Sequence, residues 1–223
     1  MSYLLPWEPD QADGSLARRV AAHAAQRIVK RSIPAGHLLT EAELSLEMGV
    51  SRTPSREAML QLARWGLVRL MPKKGAVVTA ITFEERRDLL ATRGLFERGA
   101  LEALTSTPGR LAELSNSLNE PLQAQRAALA SGDLLGFASA DFAFHAALVQ
   151  AGGNYVITDL LTELAPRLAR LTFEAALEHP EQLATYLQEH ERLADLASQA
   201  NATEFAQCLN AHLTKAHFPK KAN

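Results

Sequence analysis

The 223-residue chain has a single cysteine, Cys208, which excludes a disulfide within it. Cys208 falls on an apolar helical stripe, so a buried structural thiol is expected there rather than a reactive one. No apolar run approaches the ~20 residues that span a bilayer. The opening segment MSYLLPWEPDQADG is too short and too acidic for a secretory signal. A cytoplasmic protein without membrane contact is the expectation, with a loose tail over residues 1–13. Internal repeats, low-complexity tracts and sustained heptads are also missing, so neither a repeat array nor a coiled coil organises the chain. Net charge is nearly missing as well, at −2, but its distribution is uneven. Residues 14–80 carry 11 Lys and Arg against 4 acids, whereas residues 81–223 carry 12 against 18. A basic head on an acidic body is what a chain shows when only the head meets phosphates.

The head has its own pattern. Glu41 to Met48 reads as a short helix with Leu44 and Met48 on one face, and Gly49 stands where a left-handed cap would close it. A second helix opens with Thr53 as its expected N-cap and Pro54 at its first position, and runs to about Trp65. Ala58, Leu62 and Trp65 make its buried stripe, while Arg52 and Arg56 project from its first turn. After Gly66, the segments Leu67 to Leu70 and Ala76 to Val78 read as two strands joined at Pro72-Lys73-Lys74-Gly75, a hairpin with a basic tip. Arginines at a helix start and lysines at a hairpin tip suit the grooves of double-stranded DNA.

The run Ile33 to Val78 resembles the winged helix-turn-helix of GntR-type bacterial transcription regulators. Pro34-Ala35-Gly36, Leu39-Thr40-Glu41, Gly49-Val50-Ser51-Arg52-Thr53-Pro54, Arg56-Glu57-Ala58, Gly66-Leu67-Val68 and Gly75 carry the likeness. The pattern departs at Ser55, where Val is more usual, and at Ala42, where some relatives place a further DNA-contacting arginine. The resemblance implies that Arg52 and Arg56 meet bases or phosphates in the major groove, Thr53 a phosphate, and Lys73 and Lys74 the wing side.

Beyond Ala80 no strand pattern occurs, and residues 81–223 read as an all-α antiparallel bundle of about six helices. Caps and breakers place them at Thr82 to Thr105 (with a Thr82/Glu85 capping box), Thr107 to Ser131, Leu134 to Ala151, Asn154 to Glu178 with a kink at Pro166, Glu181 to Gln199, and Thr203 to about Phe218. Helical phase then singles out polar residues on inward faces. Asp141 and His145 share the stripe of Phe137, Phe144 and Leu148; His190 interrupts that of Leu183, Tyr186, Leu187, Leu193 and Ala197; His212 lies with Phe205, Leu209 and Ala216. A lone core histidine is usually only hydrogen-bonded. Three of them converging on a carboxylate, which is costly to bury alone, offer a metal-ligand set. Imidazole and one carboxylate suit a divalent transition metal, zinc first, with nickel, iron or manganese possible, better than calcium or magnesium.

The body in turn resembles the ligand-binding domain of the FadR branch of GntR regulators, in which an Asp-x-x-x-His pair and two later histidines hold a divalent metal. Asp141 with His145, then His190 and His212, match that pattern, and six helices resemble the VanR subgroup. Arg93, in phase with Leu89, Phe96 and Ala100, either pairs with Glu97 one turn on or grips the carboxylate of a small effector. Arg167 and Arg170 border their stripe and are weaker candidates. The implied protein is a homodimeric transcription regulator, most often a repressor, that reads a palindromic operator and responds to a small organic acid through the linker at Thr79 to Thr82. Two readings stay open beside it: a purely structural metal, and a metal-dependent hydrolase. The second lacks a His-Glu-x-x-His segment and an obvious general base, and it leaves the basic head unexplained.

Overall fold

Residues 5–8, 14–106 and 108–218 are described by a computed structural model. The chain divides into two units, Met1–Thr82 with Glu163–Arg170, and Phe83–Thr162 with Leu171–Asn223.

The first unit opens with α1 (Leu16–Val29), whose N-cap Ser15 accepts a hydrogen bond from the Arg18 amide. Its face of Val20, Ala21, Ala24, Ala25 and Ile28 is fully buried, and α1 packs chiefly on α3. The helix-turn-helix follows as α2 (Glu41–Met48) and α3 (Arg52–Arg64). Thr40 and Glu43 form a reciprocal capping box at the start of α2, and Gly49 closes it at φ 63°. The start of α3 differs from the expectation. Ser51, not Thr53, is the N-cap residue, and Pro54 is the third helical residue. The amide of that position has no intrahelical acceptor either, so proline is tolerated two residues later than the first position.

The strands are β1 (Leu38–Leu39), β2 (Val68–Met71) and β3 (Gly75–Val78), in the order β1-β3-β2, all antiparallel. In the wing hairpin Val68 faces Val78 and Leu70 faces Ala76. The third strand, β1, pairs Leu38 with Val77 and Leu39 with Ala76, and so ties the segment before α2 to the wing. Gly75 sits at φ 112°, and a Cβ there would lie 2.3 Å from the Leu39 carbonyl oxygen, so this crossing of strands accepts only glycine. Part of the segment 1–13, expected to be loose, is seated: Leu5 is buried and Trp7 packs against the head's core. Burying a leucine and an indole offsets the entropy of ordering a short stretch.

The second unit is helical: α4 (Phe83–Thr105), α5 (Pro108–Ser131), α6 (Leu134–Ala151), α7 (Tyr155–Glu178, in part), α8 (Leu183–Ser198) and α9 (Ala202–His217). Asp133 caps α6 and Asn154 caps α7 through side-chain oxygens. Helix α7 continues past Pro166, and a short 3-10 turn at Pro180–Gln182 delays α8 to Leu183. Thr107 lies outside the described residues. Helix α6 packs on α4 and α5, while α8 packs on α5 and α9, and α9 on α4. Phe137, Phe144 and Phe205 are fully buried. By length and composition α6 is apolar enough to cross a membrane, with a mean hydropathy of 1.3 over 18 residues, yet 56% of it is buried within the fold. It also carries two buried polar residues, Asp141 and His145, which marks it as the core helix of the bundle.

Candidate functional site

Helical phase brings the four inward-facing polar residues of the second unit to one point. Asp141 and His145 come from α6, His190 from α8 and His212 from α9; all are buried, and one ligand atom from each lies within 4.8 Å of all the others. His190 Nε2 is the hub, 3.1 Å from both His145 Nε2 and His212 Nε2 and 3.4 Å from Asp141 Oδ1. Phe144 holds its ring in place, stacked with centroids 4.8 Å apart.

The other ring nitrogens are held from outside. His145 Nδ1 is 2.7 Å from Glu97 Oε2, His212 Nδ1 is 2.8 Å from Glu189 Oε2, and His190 Nδ1 is 2.8 Å from Gln125 Oε1. When these three oxygens accept, each Nδ1 carries the proton and each Nε2 presents a lone pair inward. Three imidazole lone pairs and a carboxylate then point to a common centre. Bonds of about 2.0–2.2 Å to a central ion would set neighbouring donors roughly 2.8–3.6 Å apart between octahedral and tetrahedral geometry, a range that includes the three hub contacts. The donor set therefore fits a divalent transition metal, and the outer partners are of the type that orients ligating histidines.

For His145 and His190 electrostatics agrees with the neutral ring. Burial, with Arg93 nearby, holds His145 well below the usual histidine range; burial and the neighbouring His212 and His145 do the same for His190. Burial pushes Glu97 up to about 7, against the lowering effect of Arg93. Partial burial also pushes Glu189 upward, but the His212 hydrogen bond and the charges of His212 and Lys215 outweigh it and hold the carboxyl below its ordinary value. A cation at the Nε2 side would favour an ionised Glu97 by charge attraction.

Arg93 makes the pairing with Glu97 that was one of the two roles expected for it. Its Nε donates to Glu97 Oε1 at 3.1 Å and its Nη1 lies 3.3 Å from Asp141 Oδ2, which also accepts from Thr172 at 3.0 Å. Nη2 is buried with no hydrogen-bond partner. The guanidinium is thus tied into the cluster and keeps one donor free. Arg167 and Arg170 group with the first unit, where Arg170 Nη1 donates to the Thr79 carbonyl. Cys208 is half-buried and its thiol is pushed up by burial, against thiolate chemistry.

In the first unit Arg52, Arg56, Lys73 and Lys74 line one groove of about 590 Å³ between α3 and the wing, with Thr40 and Leu60 among the other walls. All four cations are exposed; Thr53 is exposed on the same first turn of α3 but does not line the groove. Ser55 faces inward instead, fully buried, its hydroxyl 2.8 Å from that of Ser45 on α2. The departure from valine is therefore compensated by a polar pair between the two helices.

Sequence reasoning missed Gln125 and His217. The phase of α5 was not resolved, and Gln125 is a neutral residue that no ligand pattern includes. His217, one turn beyond His212 on α9, is buried with Nδ1 unpartnered, and burial together with Arg93 and His212 holds it well below the usual range. Its place in phase with Leu209, Leu213 and Ala216 was the available signal.

A winged helix-turn-helix joined to a helical domain with a buried Asp/His₃ cluster defines a class, the DNA-binding transcription regulator. Comparison with known proteins bears this out. Residues 16–78 match the bacterial regulatory proteins of the gntR family and residues 88–215 match the FCD domain. The chain belongs to the GntR family of bacterial transcription regulators. It is 35% identical over 139 residues to an HTH-type transcriptional regulator of Agrobacterium vitis, covering 60% of this chain and 81% of that one. It is 30% identical over 148 residues to the gluconate operon transcriptional repressor of Bacillus licheniformis, covering 66% and 60%. A GntR-type regulator from Rhodococcus shares the fold, with TM-score 0.74 at 24% identity over 92% of this chain and 96% of the other. The family and these relatives are regulators, not enzymes.

Proposed function

We propose that the protein is a metal-dependent, ligand-responsive repressor, acting in the cytoplasm as a homodimer whose two heads read the half-sites of a palindromic operator. Asp141, His145, His190 and His212 hold the metal, with zinc preferred over nickel, iron and manganese. The observation that carries this reading is the inward convergence of three Nε2 atoms and one carboxylate while each Nδ1 is engaged from outside. A metal held by these four residues would supply Lewis-acid attraction for a carboxylate oxygen of the effector. Arg93 supplies a donor to the same ligand through Nη2, its only nitrogen not engaged by Glu97 or Asp141. The relative named for a gluconate operon points to an organic acid of this class. Six helices, α4 to α9, favour the VanR-like subgroup.

Arg52 and Arg56 read the major groove, Thr53 meets a phosphate, and Lys73 and Lys74 contact DNA from the wing; the shared groove supports this assignment. Effector binding at the metal biases the bundle helices, and the linker Thr79 to Thr82 carries the change to the heads.

The test uses the full-length protein, zinc-loaded or chelator-treated, with an operator fragment and a panel of small organic acids. At least one acid is expected to raise the melting temperature of the zinc-loaded form alone, since a ligand at 100 times its Kd stabilises by ~2.7 kcal/mol. The same acid should change operator affinity. Metal binding with no response to any acid would leave a structural metal, and steady turnover of an acid derivative would point to an enzyme.

A further inference from the structure

We infer that Gln125 is a two-way positioning residue that lets His190 exchange tautomers as the metal comes and goes. This rests on the metal-binding reading above.

The three histidines of the cluster are not held alike. Carboxylates face Nδ1 of His145 and His212: Glu189, held below its ordinary value, only accepts and fixes His212 with the proton outward, while Glu97 shares a proton with His145. His190 alone faces an amide, from a glutamine with no exposed surface. An amide can present either end. With Oε1 toward the ring it accepts from Nδ1–H, and His190 Nε2 carries the lone pair that a metal requires. With the amide turned over, Nε2 of Gln125 donates to a bare Nδ1, and the proton of His190 sits on its own Nε2.

The second arrangement answers a problem of the metal-free cluster. If all three rings keep their protons outward, the lone pairs of His145, His190 and His212 face one another at 3.1 Å with nothing between them. A proton on His190 Nε2 removes that conflict, because this atom is the hub: His145 Nε2, His212 Nε2 and Asp141 Oδ1 all stand around it as acceptors at 3.1 to 3.4 Å. No other ring of the three has both a central Nε2 and an outer partner able to donate.

The amide itself supplies the second observation. With Oε1 toward the ring, Gln125 Nε2 is buried without a hydrogen-bond partner. Turning the amide gives that donor His190 Nδ1 and leaves an unpaired acceptor instead, the more readily tolerated of the two. The metal-loaded orientation is thus held by the metal, and the turned one prevails without it. The exchange takes up no net proton: His190 loses one from Nε2 and gains one at Nδ1 through solvent.

The experiment is long-range ¹H–¹⁵N spectroscopy of histidine-labelled full-length protein, chelator-treated and zinc-loaded, with Gln125→Glu and Gln125→Leu alongside. Wild-type His190 should be the Nε2–H tautomer without zinc and Nδ1–H with it, while His212 stays Nδ1–H throughout. Gln125→Glu should lock His190 as Nδ1–H, lower the melting temperature of the zinc-free protein and tighten zinc binding. Gln125→Leu should weaken zinc binding by about 10- to 100-fold, the usual effect of losing an outer partner. A residue that only fills space would weaken zinc binding in both variants. The same tautomer of His190 in both wild-type states, with zinc bound at the cluster, overturns the role of Gln125 and leaves the metal site standing. Failure of the wild type to take up zinc or cobalt(II) at micromolar concentrations overturns both.

Discussion

Replacing His190 by alanine removes the hub of the cluster, and the size of the effect can be worked from the arrangement. A four-ligand structural zinc site contributes ~10–16 kcal/mol, or roughly 2.5–4 kcal/mol for each protein ligand. His190→Ala should therefore weaken zinc binding by about 10²- to 10³-fold. The fold should survive. His190 is fully buried against Phe144, so its loss leaves a cavity costing on the order of 1–3 kcal/mol. The hydrophobic core of the head does not include it, so binding to a DNA fragment without effector should change little. Metal content of the purified variant by mass spectrometry, competition against a chelator, and circular dichroism of both proteins give the answer. Wild-type zinc content and affinity in a folded His190→Ala variant would refute the reasoning, because the remaining donors would then have to bind without the atom that stands nearest to each of them.

Arg56→Ala should weaken operator binding by at least ~1 kcal/mol relative to non-specific DNA in a competition band-shift, whereas an equal loss on both would exclude base reading by this residue. Gly75→Ala should destabilise the head by about 1–3 kcal/mol or more in denaturant unfolding, since φ 112° and the Leu39 carbonyl both oppose a side chain. Acidification of the metal-free protein should be destabilising: burial holds His145, His190 and His217 below the usual range, so from about pH 6.5 downward the unfolded chain binds more protons at these sites. Glu97, pushed up to about 7, acts oppositely between about pH 4.5 and 7 but for one proton against three, so thermal melts from pH 6.5 to 5 should show stability falling by about 1.4 kcal/mol per unit for each net proton.

Much of the fold is legible because its signals are local. Gly49 closes α2, Asp133 and Asn154 cap α6 and α7, and each acts within a few residues of where it stands. The inward phase of Asp141, His145, His190 and His212 follows in the same way from the apolar stripes around them. What sequence pattern misses depends on partners far along the chain. The alanine-rich α1 buries most of its small side chains and packs chiefly on α3, a partner more than twenty residues along the chain. Strand β1 is two residues long and exists only because Leu38 and Leu39 reach β3. Gln125 becomes part of the site through a hydrogen bond spanning 65 residues of sequence, and Glu97, legible only as the partner of Arg93, proves to hold His145 as well. The start of α3 illustrates a nearer limit, because Ser51 and Thr53 are both cap-forming residue types two positions apart and local pattern alone does not choose between them.

The most direct measurement is zinc K-edge X-ray absorption on the zinc-loaded full-length protein. A shell of nitrogen and oxygen donors, with the outer-shell scattering of three imidazole rings and no sulfur, is the predicted spectrum. A sulfur ligand from Cys208, or a shell of water without imidazole, would contradict the assignment of Asp141, His145, His190 and His212 as the metal site.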